Sequence, residues 1–241
     1  MKSGLLLQVR MSSTRLPGKA LLPLAGAPVL QRIIERLKRV KNAELIVATS
    51  TDPSDNPIEA LCQQTGTPFY RGSLQDVLGR FAAAARYYHL DTIVRLTGDC
   101  PLLDPGMIDA MLDAFHKDSY DYYCNIRPRT YPRGLDTEIF PVRFLNRALE
   151  ERIPEDIQEH VVIPYINRNL PKIRIGSFAD SENHSDLRWT LDEKADYELI
   201  TRIYDALYPS EKIFNYRDIL SFVNSHPDLK RINAAVKQKT L

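Results

Sequence analysis

Up to about Ser119, short apolar runs take turns with longer stretches of helical periodicity, and this alternation narrows the available folds more than any other feature. "GLLLQV", "AELIVATS" and the short "PFYRG" read as buried strands, and "DTIVRLTGDCPLLDP" as an apolar strand that runs into a loop. Between them lie helical stretches. "PVLQRIIERLKRV" puts Val29, Ile33, Ile34, Leu37 and Val40 on one face, and "PIEALCQQTG" is closed by Gly66, which suits a helical C′ position. "LQDVLGRFAAAARYYH" and "GMIDAMLDAFHK" supply two more helices, and "TDPSDNP" marks a turn. Strands alternating with helices predict βαβ units, an α/β fold and a mainly parallel sheet covered on both faces. Ligands of such sheets bind beyond the C-terminal strand ends. The polar segments after Val9 and after Leu96 therefore open on the same edge.

Beyond Ser119 the pattern is less regular. "YDYYCNI", "YPRGLDTEIF" and "KIRIGSF" read as strands of a partly antiparallel region, "EDIQEHVVIPYINRN" and "EKADYELITRIYDALY" as helices, and the chain after about Tyr216 as C-terminal helices. There is no internal repeat and no low-complexity linker. The expectation is one domain over 1–241, with a substrate-side or dimer elaboration around 119–180 and C-terminal helices from about 193.

The net charge of +1 gives no global pull toward nucleic acid or an anionic membrane, so any anion site has to be local. No apolar run approaches the roughly 20 residues that span a bilayer, and "MKSGLLLQVR" has too short an apolar core for a secretory leader. Cys62, Cys100 and Cys124 are odd in number and widely spaced, which argues against a disulfide framework or a zinc cluster and fits a reducing cytoplasm.

Four segments carry residues suited to chemistry. The loop after Val9 holds Arg10, Arg15 and Lys19 among Ser12, Ser13 and Thr14, with little acid nearby. Arginine forks phosphate oxygens, lysine supplies a point charge, and Pro17-Gly18 forms a turn that aims Lys19. The loop lacks both standard nucleotide fingerprints, and a solvated basic loop is the plain alternative. Asp99 follows a strand and a glycine at the ligand-binding edge, where a carboxylate suits Mg2+ or simply satisfies its own turn. Asp104, before Pro105, reads as a helix cap. Asp192 stands where "DLRWTL", read as a strand, gives way to a helix. It is either a second carboxylate for the same metal, supported by Asp196, or an N-cap, with Thr190 and Glu193 as an alternative capping box. "NIRPRTYPRGLDTEIF" packs Arg127, Arg129, Arg133, Asp136 and Glu138 around proline and glycine, a mixture that grips a polar or anionic sugar or forms an exposed hairpin. His160 falls on the interior-leaning side of a predicted helix and reads first as a hydrogen-bonded structural residue.

"QVRMSSTRLPGKALLPLAGAPVLQRIIERL", "YRGSLQDVLGRFAAAA", "IVRLTGDCPLLDP", "YPRGLDTEIF", "EHVVIPYI" and "LRWTLDEKADYELI" occur in this order. Together they resemble sugar cytidylyltransferases of the spore-coat polysaccharide biosynthesis protein F type, over most of the chain to about residue 200. More distantly the chain is similar to CMP-KDO and CMP-sialic acid synthetases. The resemblance implies a Rossmann-like three-layer α/β sandwich of the nucleotide-diphospho-sugar transferase type, a homodimer, and binding of CTP with Mg2+. It implies that Arg10, Arg15 and Lys19 hold the triphosphate, with Ser12 and Ser13 also binding the nucleotide and Asp99 and Asp192 as metal carboxylates. Arg71 to Ser73, Asp76 and Arg80 would line the nucleotide or sugar side. Two departures stand out. Ser12 replaces a glycine common in relatives, and "TGDCP" replaces the Gln-Gly-Asp-Glu-Pro type run of CMP-KDO synthetases.

The expected reaction is attack by a sugar oxygen on the α-phosphate of CTP, releasing pyrophosphate, with Arg10, Lys19 and Asp99 as catalytic residues. Arg127, Arg133, Asp136, Glu138 and His160 form the expected sugar-binding set, for an acid sugar. The competing readings are a nucleotide-sugar-dependent glycosyltransferase, against which no D-x-D occurs near Asp99, and a silent nucleotide-binding protein.

Overall fold

Leu5, Leu6 and Leu7 are all fully buried. Successive strand residues point to opposite faces, so this requires a sheet covered on both sides. In the computed structural model, which describes residues 1–151, 160–210 and 214–238, they lie in β1 (Ser3–Gln8), inside a seven-stranded sheet. A small hairpin of β2 (Pro23–Leu24) and β3 (Ala27–Pro28) leads into α1 (Val29–Leu37). β4 (Glu44–Ser50) pairs parallel with β1 and, after α2 (Asn56–Gln64), β5 (Phe69–Gly72) pairs parallel with β4. The chain then passes through α3 (Val77–Tyr87) and crosses to the other side of β1, where β6 (Thr92–Thr97) also pairs parallel.

After α4 (Pro105–Asp118), β7 (Tyr122–Cys124) and β8 (Glu138–Pro141) extend the same sheet, and β8 runs antiparallel to β6 and to β7. α5 (Val142–Glu150) and α6 (Ile163–Arg168) come before β9 (Ile175–Ser177), which closes the order β5-β4-β1-β6-β8-β7-β9. α7 (Lys194–Leu207), α8 (Tyr216–Ser225) and α9 (Leu229–Ile232) complete the described chain. Leu5, Leu7, Val47 and Val94 pack on α1, α2, α4, α7 and α8, while Leu6, Ile46, Ala48 and Ile93 pack on α3, α5 and α6. The result is the expected sandwich of helices, sheet and helices.

Several local expectations change. Of "YPRGLDTEIF" only the last three residues fall in a strand, β8 (Glu138–Pro141), and Gly134 turns the chain before it with φ 104. "DLRWTL" contributes a single bridge, Arg133 to Arg188, and no strand. Of the helix expected over "EDIQEHVVIPYINRN", the described residues show α6 from Ile163; residues 155–159 lie outside the described residues, and His160 stands three residues before α6. α5 is an element that the pattern does not announce. It starts directly after the last residue of β8, with no turn residues between, and buries Phe144, Leu145 and Ala148.

The strand order sets the place for a ligand. From β1 the chain builds outward to β5 and then returns across β1 to β6, so the loops after β1 and β6 part at a topological switch point. β8 points the other way and its first residue, Glu138, pairs with Arg95 of β6. The whole β7–β8 loop is thereby delivered to the same edge.

Candidate active site

Gln8 and Thr97 are paired in register, so the chain leaves β1 and β6 side by side. The Gly98 N–H donates to Gln8 O at 2.8 Å. A Cβ at Gly98 would stand 2.4 Å from Val9 Cγ2, so only glycine lets the two exits run this close. The basic loop then curls on itself. The N–H groups of Ser13 and Gly18 both donate to Met11 O, and Gly18 takes a left-handed conformation (φ 71) that starts a single 3-10 turn at Lys19. Asp55 pins the base of this loop. Fully buried, it accepts from Met11 N at 2.7 Å, from Thr49 Oγ1 and Ser50 N at 3.1 Å each, and from Ser50 Oγ at 2.5 Å.

The loop after β6 and the approach to α7 are stitched together, which brings distant carboxylates into one place. Leu191 N donates to Asp99 O at 2.7 Å, and Thr190 Oγ1 donates to the same oxygen at 3.3 Å. Lys19 Nζ lies 2.9 Å from Asp192 Oδ1, 2.8 Å from Leu191 O and 3.4 Å from Asp99 Oδ2. Arg15 and Arg188 both reach Asp192 Oδ2 at 2.8 Å. Burial lowers the Lys19 ammonium, but Asp99 and Asp192 outweigh it and hold its pKa above the usual lysine value. Burial likewise opposes the Asp192 charge, and Lys19, Arg15 and Arg188 outweigh it, so the carboxyl is held below the usual aspartate value. Asp192 is not the helix cap. Glu193 is the N-cap of α7, with Asp196 as its reciprocal partner, so neither expected capping scheme occurs.

Two carboxylates that converge on one ammonium fit a hard cation, which takes one or two carboxylates and completes its shell with substrate phosphates. Among the described residues no group of three metal-ligating side chains gathers, and Asp99 and Asp192 are the carboxylates that meet at Lys19.

The β7–β8 loop forms the opposite wall. Asn125 organises it by donating to Leu135 O at 2.7 Å and accepting from Thr137 N at 2.9 Å. Gly134 passes Trp189 so closely that a Cβ would lie 2.5 Å from its carbonyl carbon and oxygen. Arg129 is clamped by Asp136 through paired bonds of 2.6 and 2.7 Å. Glu138 is buried and satisfied by Arg95 and by Tyr122 OH. Arg133 differs: it lines the cleft, and among the described residues none forms a hydrogen bond or ion pair with its guanidinium.

These walls enclose a cleft of about 880 Å³ that brings together Arg10, Ser13, Arg15, Lys19, Asp99, Asp192, Arg133, Asp136, Glu138 and His160. Ser12 is exposed and does not line it. Arg71 and Arg80 also lie off the cleft. Arg71 holds Ser50 O at 2.7 Å and Asp52 O at 3.0 Å and pairs with Glu59. Arg80 is buried on Gly72, donates to Ser73 O at 2.6 Å, and burial brings its pKa down to about 10. Asp76 is the N-cap of α3, and Arg127 turns outward to Asn167 at 2.6 Å. Asp55 and Arg188 are supporting residues that sequence patterns do not single out. Asp55 reaches back to Met11 from a stretch that reads simply as a turn, and Arg188 holds Asp192 and Asp196 from within a segment that reads as a strand.

The family model described as "Cytidylyltransferase" matches residues 5–229. The chain is 31% identical over 232 residues to spore coat polysaccharide biosynthesis protein SpsF of Bacillus subtilis, covering 92% of this chain and 94% of that protein. Among solved structures, a cytidylyltransferase from Leptospira borgpetersenii superposes with a TM-score of 0.91 at 34% identity, over 100% of this chain and 99% of that one. A CMP:2-keto-3-deoxy-manno-octonic acid synthetase complexed with CTP shares the fold, with a TM-score of 0.64 at 18% identity over 85% of this chain and 99% of that one.

Proposed function

Since the chain belongs to the cytidylyltransferase family, we propose that it joins CMP from CTP to an acid sugar, releasing pyrophosphate, in surface polysaccharide or glycan synthesis. The observation that carries this reading is the meeting of Lys19 with Asp99 and Asp192 at the switch point, with Arg10 and Arg15 beside it. Arg10, Arg15 and Lys19 hold the anionic oxygens of the triphosphate and offset the charge that moves onto pyrophosphate. The new bond joins a sugar hydroxyl oxygen to the α-phosphorus, the bond from that phosphorus to pyrophosphate breaks, and the hydroxyl proton passes to solvent.

Asp99 and Asp192 would hold Mg2+, which when bound neutralises phosphate charge and makes the sugar hydroxyl more acidic. Thr97 donates to Asp99 Oδ1 at 2.5 Å and fixes that carboxylate. On the sugar side, among the arginines of the described β7–β8 loop, Arg133 is the one available to a carboxylate, since Arg129 is committed to Asp136 and Arg127 bonds to Asn167. The forked guanidinium matches a carboxylate in two hydrogen bonds.

The test is pyrophosphate release by the purified protein with CTP, Mg2+ and a panel of acid sugars, with sugar 1-phosphates as the contrasting panel. Turnover with an acid sugar is expected. Turnover with sugar 1-phosphates alone would assign a different nucleotidyl transfer. Asp99→Asn should abolish turnover with the fold intact by circular dichroism, and wild-type activity in that variant would remove Asp99 from the chemistry.

A further inference from the structure

Asp192 is oriented by a buried network that reaches the last described residues of the chain. Its Oδ2 receives both Arg15 and Arg188, which leaves Oδ1 for Lys19 and the cleft. Arg188 is itself gripped by the fully buried Asp196, from Nε to Oδ1 at 2.9 Å and from Nη2 to Oδ2 at 3.1 Å. Asp196 Oδ2 also accepts the N–H groups of Asp192 and Glu193 at 3.0 Å each, so one carboxylate fixes both the backbone of Asp192 and the cation on its side chain. Just past α9, Asn233 donates Nδ2 to Asp196 Oδ1 at 2.8 Å and to Arg188 O at 2.9 Å, and Arg188 also donates to Gln238.

Capping α7 needs only Asp196 and Glu193. A buried arginine between two aspartates, one of them facing the cleft, is costly to desolvate and exceeds what a helix cap requires. We propose that Arg188, Asp196 and Asn233 are positioning residues for Asp192, through which the segment after α9 sets the orientation of a metal-binding carboxylate. This inference rests on the proposed use of a divalent cation with CTP. An aspartate has two rotatable side-chain bonds. Pinning Oδ2 aims Oδ1 at the point it shares with Asp99, and partners of this kind tune metal affinity without touching the metal.

The experiment uses Asn233→Ala, which removes the outermost contacts, and Arg188→Lys, which keeps the charge and loses the fork. Mn2+ binding in the presence of CTP is read by electron paramagnetic resonance as the loss of free-ion signal beyond that of a protein-free Mn2+–CTP solution. CTP binding without metal is read by calorimetry. Both variants should bind Mn2+ roughly 10-fold more weakly than wild type, with metal-free CTP affinity unchanged. If Arg188→Lys fails to fold, Asn233→Ala decides alone. Wild-type Mn2+ affinity in the folded variants overturns the positioning role, and so does an equal weakening of metal-free CTP binding, which marks general loosening. Wild-type protein that takes up no Mn2+ with CTP overturns the metal reading itself, and this inference with it.

Discussion

Lys19 and Asp192 hold each other's charge against burial, and the consequence for pH follows from the signs. The Lys19 pKa is raised above 10.5, so its stabilisation is complete below that value and is lost as pH climbs through the folded value. The Asp192 pKa is lowered below 3.8, so its contribution is complete above that value and is lost as pH falls through the folded value. Between those limits the pair contributes a constant amount. Replacing Lys19 by Met removes the largest charge that keeps Asp192 ionised. The acid limb of unfolding, followed by circular dichroism, should therefore move to higher pH, and an unmoved limb would show that Arg15 and Arg188 suffice. Arg133 offers a second prediction. Arg133→Ala should raise the KM for an acid sugar by about 10- to 100-fold, the worth of a charged hydrogen-bonded contact, and leave the KM for CTP unchanged. An equal rise in both would place Arg133 on the nucleotide. Residue type and position announce Arg10, Arg15, Lys19 and Asp99 as cleft residues, since each follows a strand that ends at the ligand-binding edge. They do not separate Arg133 from Arg127 and Arg129, because that distinction depends on Asp136 and Asn167, partners whose pairing no sequence pattern records.

At the scale of elements, the basic loop is shaped by what lies under it as much as by its own residues. β4 ends at Ser50, and the chain then turns so that Asp55 comes back beneath Met11. Asp55→Ala would strand the Met11 and Ser50 amides and two hydroxyls, and each buried donor left unpaired costs about 1–3 kcal/mol. A loss on the order of 3 kcal/mol or more is expected in urea unfolding, accompanied by weaker CTP binding at temperatures where the variant is still folded. Full CTP affinity in the folded variant would confine Asp55 to stability. The alternation that predicts the parallel strands survives because burial on both faces forces continuous apolar runs, as in β1 and β4. It fails for α5, whose start carries no turn, and for "DLRWTL", whose alternating apolar residues pack into the core as extended chain beside Gly134 without pairing into a strand. Period alone cannot tell a strand from an extended segment held by tertiary contacts.

For the whole molecule, the site depends on both ends of the chain lying against the same layer. The cations enter after β1, the first carboxylate after β6 and the second before α7, so no contiguous half of the sequence contains the cleft. The C-terminal helices belong to this assembly. Phe214, Tyr216, Ile219, Leu220, Val223 and Leu229 are buried in the cluster that also contains Leu5, Leu7, Val94 and Leu96, and Tyr216 N donates to Asp104 Oδ2 at 2.7 Å. Asp104 thus ties the cap of α4 to the start of α8, and Arg36 adds a bond from α1 to Phe214 O at 2.7 Å. Each large apolar side chain contributes about 1.5–3 kcal/mol when buried, so removing this group forfeits on the order of 10 kcal/mol, comparable to the whole stability of a typical protein. A chain ended at Leu207 should therefore fail to fold, showing aggregation or an unfolded spectrum, whereas a chain ended at Lys237 keeps every one of these contacts and should unfold near the full-length temperature. A folded, soluble product from the shorter chain would mean that the first-face core closes without α8 and α9. In that case Asp196 and Arg188 would lose Asn233 while the sheet stood, and metal binding at Asp192 would fall with the fold unharmed.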